Sequence, residues 1–294
     1  MLQQTRVAAV IPYYEAFLSK FPTVEDLASA TESQLLTAWS GLGYYSRSRN
    51  LQKAAKMIVE AGAFPKSYDQ IRELSGVGEY TAAAVGSIAF GLPHAAVDGN
   101  VIRVTSRLSA EQGDVGSRIV RQRLNVIAEQ LLDRKNSGRH NQAMMELGAT
   151  ICVPRDPKCG ECPVEKYCMA RAAGLEQQLP LKQKKTLMLR VDRRLLLVAK
   201  KGKILLWQRP ASSKKMANFW ELPEAGMLLG AVEGELLGEF RHSITNHSYR
   251  FELVRASVRK IPEGFVLINC NDLALMPVST TTRKALEKLT LETL

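Results

Sequence analysis

Apolar residues in the first part of the chain recur at spacings of three and four. Val7, Val10, Ile11, Tyr14, Phe17, Leu18 and Phe21 form one such series, which predicts a helix with a single core-facing stripe. Pro12 is expected to kink or restart that helix, because its ring nitrogen carries no hydrogen to donate. Thr31 with Gln34, and Ser67 with Gln70, have the spacing at which a hydroxyl and an amide satisfy the free N–H groups of a helix start, so both pairs mark helix N-termini. No alternating strand pattern appears before Cys168, and an all-α region is the simplest account of it. Beyond the cysteines the pattern changes. Leu179-Pro180-Leu181-Lys182-Gln183-Lys184-Lys185 is a proline followed by solvated charge, which predicts a connection. Short apolar runs follow at 195–198, 204–207, 251–253 and 265–268, each bounded by Gly, Pro or charge, and these suit strands; residues 282–289 close the chain with helical spacing. The expected organisation is a mainly α part over residues 1–170, a connection over 171–190 and an α+β domain over 191–294, without internal repeats.

Composition narrows the function classes. The 294 residues are 46% hydrophobic, enough to bury one large core or two ordinary ones, which excludes a disordered tail. Forty Lys+Arg stand against 29 Asp+Glu, a formal charge of +11. Clustered positive charge gains affinity by releasing counterions from phosphate backbones, so a polyanionic partner is favoured, with a merely soluble basic surface as the competing account. The longest uncharged stretch, residues 80–97, is interrupted by Gly86, Gly91, Pro93 and His94, and Met1-Leu2-Gln3-Gln4-Thr5-Arg6 has no basic region followed by an apolar one. Neither a membrane span nor a signal peptide is expected.

Three local patterns carry chemistry. Four of the five cysteines fall in Cys152-x6-Cys159-x2-Cys162-x5-Cys168, a density that fits one metal centre or cluster in a reducing compartment better than a disulfide framework. Zinc sites usually pair their ligands as two knuckles, whereas only Cys159 and Cys162 form one here; the spacing leans to an iron–sulfur cluster and leaves zinc open. Cys270 stands apart as a core or surface thiol. Leu74-Ser75-Gly76-Val77-Gly78-Glu79-Tyr80-Thr81 precedes the helix-forming Ala82-Ala83-Ala84-Val85. Two glycines there let backbone N–H groups approach a phosphate at a helix N-terminus, although a plain glycine turn has the same composition. Val97-Asp98-Gly99-Asn100-Val101 reads in isolation as a turn or helix cap, and becomes a candidate catalytic segment through its place just after the hairpin helix.

In this order the three patterns resemble the helix-hairpin-helix DNA glycosylases with a four-cysteine loop, the endonuclease III superfamily, and within it the adenine glycosylases of the MutY type. Met1-Leu2-Gln3-Gln4-Thr5, Gly41-Leu42-Gly43-Tyr44-Tyr45-Ser46-Arg47, Asp98-Gly99-Asn100-Val101-Ile102-Arg103-Val104 and Asn141-Gln142-Ala143-Met144-Met145-Glu146-Leu147-Gly148-Ala149 are similar to that family, so the resemblance covers nearly the whole chain. It implies base-excision removal of adenine mispaired with 8-oxoguanine or guanine, a [4Fe–4S] cluster on Cys152, Cys159, Cys162 and Cys168, and a strand grip at Gly76, Val77 and Gly78. It makes Asp98 the catalytic carboxylate, flanked by Asn100 and Tyr80; Gln4 and Tyr44 become wedges in the duplex, and Leu42 and Thr5 neighbours of the lesion guanine. On the residues alone, Leu42 and Tyr44 are equally ordinary packing residues. The implied partner is double-stranded DNA with an adenine mispair, bound by a monomer in the bacterial cytoplasm at the nucleoid.

The C-terminal part resembles the Nudix-like lesion-recognition domain of the same family through Ile204-Leu205-Leu206-Trp207-Gln208-Arg209 and Asn218-Phe219-Trp220-Glu221-Leu222-Pro223. Gly226-Met227-Leu228-Leu229-Gly230 leads into no acid-rich magnesium-binding pattern, so nucleotide hydrolysis is not expected. The family's lesion-sensing loop often has Phe-Ser-His shortly after a His; this chain has His242-Ser243-Ile244-Thr245-Asn246-His247, which nominates Thr245 and His247, with Asn246 where the family has His. A surface loop is the competing account. In the family the general acid is a Glu two residues before the Met of Met-Leu-Gln-Gln-Thr, and this chain begins at that Met. Poor excision by the 294-residue chain is therefore expected, restored by upstream residues, with a non-catalytic mismatch binder as one alternative. A bifunctional oxidised-pyrimidine glycosylase/lyase is the other; it needs an amine where this chain has Tyr80.

Overall fold

Side-chain caps decide where several helices begin. Thr23 and Thr31 each accept a hydrogen bond from the backbone N–H three residues on, and Asp26 and Gln34 return the bond to the cap. These open α2 (Val24–Ser29) and α3 (Glu32–Trp39), while Ser67 caps α5 (Tyr68–Glu73) by accepting from the Gln70 N–H. The other helices up to the cysteine loop are α1 (Val7–Lys20), α4 (Ser46–Ala61), α6 (Glu79–Phe90), α7 (Gly99–Leu108), α8 (Arg118–Leu131) and α9 (Ser137–Thr150), and α10 (Met169–Ala172) follows it. The computed structural model describes all residues except 4, 6, 184–187, 214, 245 and 290–294. Gln4 and Thr245, expected at DNA-facing positions, thus lie outside the described residues. No helix among the described residues is long and apolar enough to cross a membrane.

Two expectations for α1 are corrected. Pro12 does not restart the helix, which runs from Val7 to Lys20; the Ala8 carbonyl that loses its donor lies at an exposed residue, where water can satisfy it. The stripe also divides. Val10, Phe17 and Phe21 are buried, but Val7, Ile11, Tyr14 and Leu18 are exposed, because seven positions at mixed spacings of three and four cover a wider arc than one contact face.

The chain divides by contact into two compact units, residues 1–59 with 186–294, and residues 60–185. In the first, α1 to α4 enclose Phe17, Phe21, Leu35, Leu36 and Trp39, and the fully buried Phe219 enters this cluster with its ring 4.2 Å from that of Tyr45. Arg49 donates to the Ala217 carbonyl at 2.7 Å and the buried Ser40 hydroxyl to that of Val278 at 3.1 Å, so the segments meeting there are polar-matched as well as packed.

The strands described all lie in the C-terminal part of this unit: β1 (Leu189–Leu197), β2 (Ala199–Lys200), β3 (Lys203–Gln208), β4 (Trp220–Glu221), β5 (Val232–Ile244), β6 (His247–Ser257) and β7 (Phe265–Asn269), followed by α11 (Thr280–Leu286). One sheet has the order β1-β6-β5, with β1 parallel and β5 antiparallel to β6; in the other, β3 pairs antiparallel with β2, β4 and β7. Alternate residues at the end of β1 and just beyond it enter different clusters. Leu195 and Leu197 pack with Leu206, Phe251, Leu253 and Ala285, whereas Leu196 and Val198 pack with Leu205 and Val254, which explains why the run is continuously apolar. The second unit is helical, with Ile71, Ala82, Ala83, Val101, Val104 and Leu124 buried.

Candidate active site

Asp98 stands at the N-cap of α7. Its Oδ1 accepts from the backbone N–H groups of Asn100 and Val101, both at 2.8 Å, and its Oδ2 accepts from the Asn100 side-chain amide at 3.0 Å. A carboxylate offers about four acceptor sites. Three are engaged, so the group is fixed at the positive end of a helix with acceptor capacity left for a substrate. Asn100 is itself oriented: its Oδ1 accepts from Arg103 Nη2 at 2.8 Å, which turns its amide nitrogen towards Asp98. Arg103 also donates to the carbonyls of Gly148 and Cys152, each at 2.7 Å. The close approach of α7 and α9 that makes this possible needs Gly148, where an added Cβ would lie 2.6 Å from the Asn100 Cβ. Asp98 is therefore both the cap that a sequence predicts and a buttressed carboxylate that a sequence cannot.

Tyr80, half-buried in α6, donates to the Met145 sulfur at 3.6 Å, and burial followed by the charge of Asp98 raises its phenol above the usual range. It keeps its proton at neutral pH. Tyr80 and Val97 line a cleft of about 690 Å³, with Tyr68, Arg118, Arg121 and Glu129 among its other walls. Ahead of α6 the turn contains Gly76 at φ 77°, a left-handed conformation that favours glycine, and Gly78 caps the helix without any side-chain bond. Gly76 and Gly78 are exposed and Val77 half-buried ahead of the α6 N-terminus.

All four cysteines of the 152–168 loop line one small cavity of about 30 Å³, together with Arg107 and Arg171. Among the described residues, no group of three or more His, Cys, Asp or Glu is arranged to hold a metal ion. Four thiols facing one space are the donor set of an iron–sulfur cluster or of zinc, and the single Cys-x2-Cys pair, Cys159 with Cys162, leans to the cluster. Arg107, 1% exposed, donates to Cys152 Sγ at 3.2 Å and to the Val153 and Leu179 carbonyls at 2.9 Å. Helix α7 thus carries Asp98 at one end and a cationic contact to the thiols near the other. Cys270 lies apart, half-buried behind β7.

The remaining candidates are in the other unit. Leu42 is buried at 8% in the helical cluster, while Tyr44 is 59% exposed with φ 48°. Thr5 lies in a turn, its N–H donating to the Leu2 carbonyl at 3.2 Å. His247 opens β6 opposite Ile244, at a hairpin tip; its Nδ1 lies 2.8 Å from Asn246 Oδ1 and its ring stacks on Tyr249. Sequence reasoning assigned no role to Arg47, Arg103 or Arg107. The available signal was Arg103 and Arg107 on a helix whose Val101 and Val104 face a core, a placement that long cations adopt only when their donors are used.

Comparison with known proteins adds the following. Residues 1–130 match the model of the HhH-GPD superfamily base excision DNA repair protein, and residues 152–168 that of the iron–sulfur binding domain of endonuclease III. The chain is 31% identical over 274 residues to the adenine DNA glycosylase of Buchnera aphidicola subsp. Baizongia pistaciae, covering 89% of this chain and 78% of that protein. It is 49% identical over 182 residues to the adenine DNA glycosylase of Homo sapiens, covering 61% of this chain and 33% of that protein. The match thus spans about a third of the mammalian relatives' length. Among solved structures, a thermostable thymine-DNA glycosylase superposes with a TM-score of 0.52 at 31% identity, over 58% of this chain and 80% of that one.

Proposed function

The chain belongs to the adenine DNA glycosylase family, and on that premise we propose that it removes adenine paired with 8-oxoguanine or guanine by hydrolysing the N-glycosidic bond, with Asp98 as the catalytic carboxylate. The observation that carries this reading is the fixed carboxylate of Asp98 beside Tyr80 and its cleft, at the N-terminus of α7. Departure of the base leaves positive charge on the sugar. A carboxylate already oriented by Asn100 and the α7 N–H groups stabilises that charge without reorganising, or traps it covalently until water attacks. The cleft beside Tyr80 is proposed to take the extruded adenine, and Gly76, Val77 and Gly78 to hold a phosphate of its strand.

Cys152, Cys159, Cys162 and Cys168 would hold a [4Fe–4S] cluster, which would supply structural cross-linking and local charge, not hydrolytic chemistry. Arg107 offsets thiolate charge, and Arg103 keeps the Asn100 amide on Asp98. Tyr44 and the segment of Gln4 and Thr5 are proposed to enter the duplex, Leu42 to support them from the core, and the C-terminal Nudix-like part, through Thr245 and His247, to read the partner base. We infer a monomer acting on one mispair.

The identity of the product tests this reading. Incubated with a duplex containing one adenine opposite 8-oxoguanine, the protein is expected to release free adenine, detectable by mass spectrometry, and to give no borohydride-trapped adduct, because Tyr80 supplies no amine. Release from an adenine:thymine pair at the same yield, or a trapped adduct on an oxidised pyrimidine, would overturn it.

A further inference from the structure

One guanidinium gathers two segments that are distant in sequence. Arg47, in the first turn of α4, donates through Nη1 to the carbonyls of Met1, at 2.8 Å, and Gln3, and through Nη2 to those of Leu42 and Gly43, both at 3.3 Å. The rings of Trp39 and Tyr44 lie 5.6 and 5.3 Å from its central carbon. Its backbone N–H meets the Tyr44 carbonyl at 2.8 Å, which helps hold Tyr44 in a left-handed conformation between Gly41 and Gly43 on one side and α4 on the other. Four carbonyls and two rings use the planar fork in a way that the single point donor of a lysine cannot copy. Among the described residues, Arg47 Nε is buried without a partner.

Both segments lead to positions that the reading above places at the lesion, residues 4 and 5 on one and residues 42 and 44 on the other. We propose that Arg47 is a positioning residue which fixes these two segments in register, so that their side chains enter the duplex together and the mispair, not the backbone, is discriminated. This inference rests on the adenine glycosylase reading. It assigns Arg47 no contact with DNA. The described residues before α1 and between α3 and α4 belong to no helix or strand, and the shared guanidinium is what joins the two segments.

The test compares wild type, Arg47→Lys and Tyr44→Ala in binding two otherwise identical duplexes, one with adenine:8-oxoguanine and one with adenine:thymine, with 2-aminopurine next to the lesion to report unstacking. The Arg47→Lys protein is expected to lose about tenfold of the affinity ratio between the duplexes and much of the fluorescence rise, because a tenfold ratio corresponds to loss of one or two ordered contacts. Its affinity for the adenine:thymine duplex and its thermal midpoint should stay near wild type. A ratio lost in Tyr44→Ala but kept in Arg47→Lys overturns the inference and spares the functional reading; equal affinities of the wild type for the two duplexes overturn both. Should Arg47→Lys not fold, hydrogen exchange of the wild type decides the matter. The adenine:8-oxoguanine duplex should slow exchange in residues 1–5 and 41–45 with one common midpoint, and protection of only one segment contradicts the proposal.

Discussion

Asp98 serves two purposes with one side chain, and they can be separated by substitution. As a cap it accepts from the N–H groups of Asn100 and Val101. Asparagine caps nearly as well as aspartate, whereas alanine forfeits about 1 kcal/mol. Asp98→Asn is therefore expected to unfold within a degree or two of wild type, by the usual scaling of midpoint with stability, and Asp98→Ala several degrees lower, both followed by circular dichroism. Loss of stability in Asp98→Asn as large as in Asp98→Ala would mean that the charge, not the cap, anchors α7. Sequence made Asp98 and the four cysteines legible because their chemistry sits in short, ordered spacings. It left Arg47, Arg103 and Arg107 without roles, since the partners of these guanidinium groups lie up to 72 residues away and are mostly backbone carbonyls, which carry no residue-type signal.

Helix contacts set the geometry that those side chains need. Gly148 and Gly138 both allow α9 to approach a neighbour, but against different elements: an added Cβ would meet the Asn100 Cβ at 2.6 Å in the first case and the Ser87 carbonyl at 2.6 Å in the second. Overpacking of this kind typically costs about 1–3 kcal/mol. Thermal melts should show comparable losses for Gly148→Ala and Gly138→Ala, while only Gly148→Ala, which displaces Asn100, should also depress adenine release beyond the loss of folded protein. Equal activity in the two would detach Asn100 from the reaction. In β5, burial and the nearby Lys284 lower the His242 pKa, so the unfolded chain binds this proton more readily than the folded one. That contribution is complete above the ordinary histidine value and is lost as pH falls below about 6.5. His242→Gln should accordingly flatten the fall in melting temperature between pH 7.5 and 5.5; an unchanged slope contradicts the assignment. The short strands and the capped helices were legible from apolar runs and cap spacing. The division of the α1 stripe was not, because periodicity locates a face without saying what covers it, and β5 was hidden by the glycines and exposed charges of 232–239, where the pairing with β6 is irregular.

At the scale of the molecule, a chain with a formal charge of +11 places a buttressed carboxylate, a glycine-capped helix N-terminus and a four-thiol cavity in one helical unit. Protein purified without oxygen should be brown, with about four irons and acid-labile sulfide per chain. Stoichiometric zinc without iron would contradict the cavity assignment. Nothing local in the sequence told that Phe219 joins the cluster of α1 to α4, since a contact between residues 45 and 219 is set by packing and not by pattern. The central claim is that the Asp98 carboxylate drives loss of adenine from the mispair. The most direct measurement is single-turnover release of adenine from an adenine:8-oxoguanine duplex by wild type and Asp98→Asn side by side. The account predicts release by the wild type, whatever its rate, and a fall of at least about a hundredfold in the folded Asp98→Asn protein. Release that persists unchanged in Asp98→Asn would contradict it.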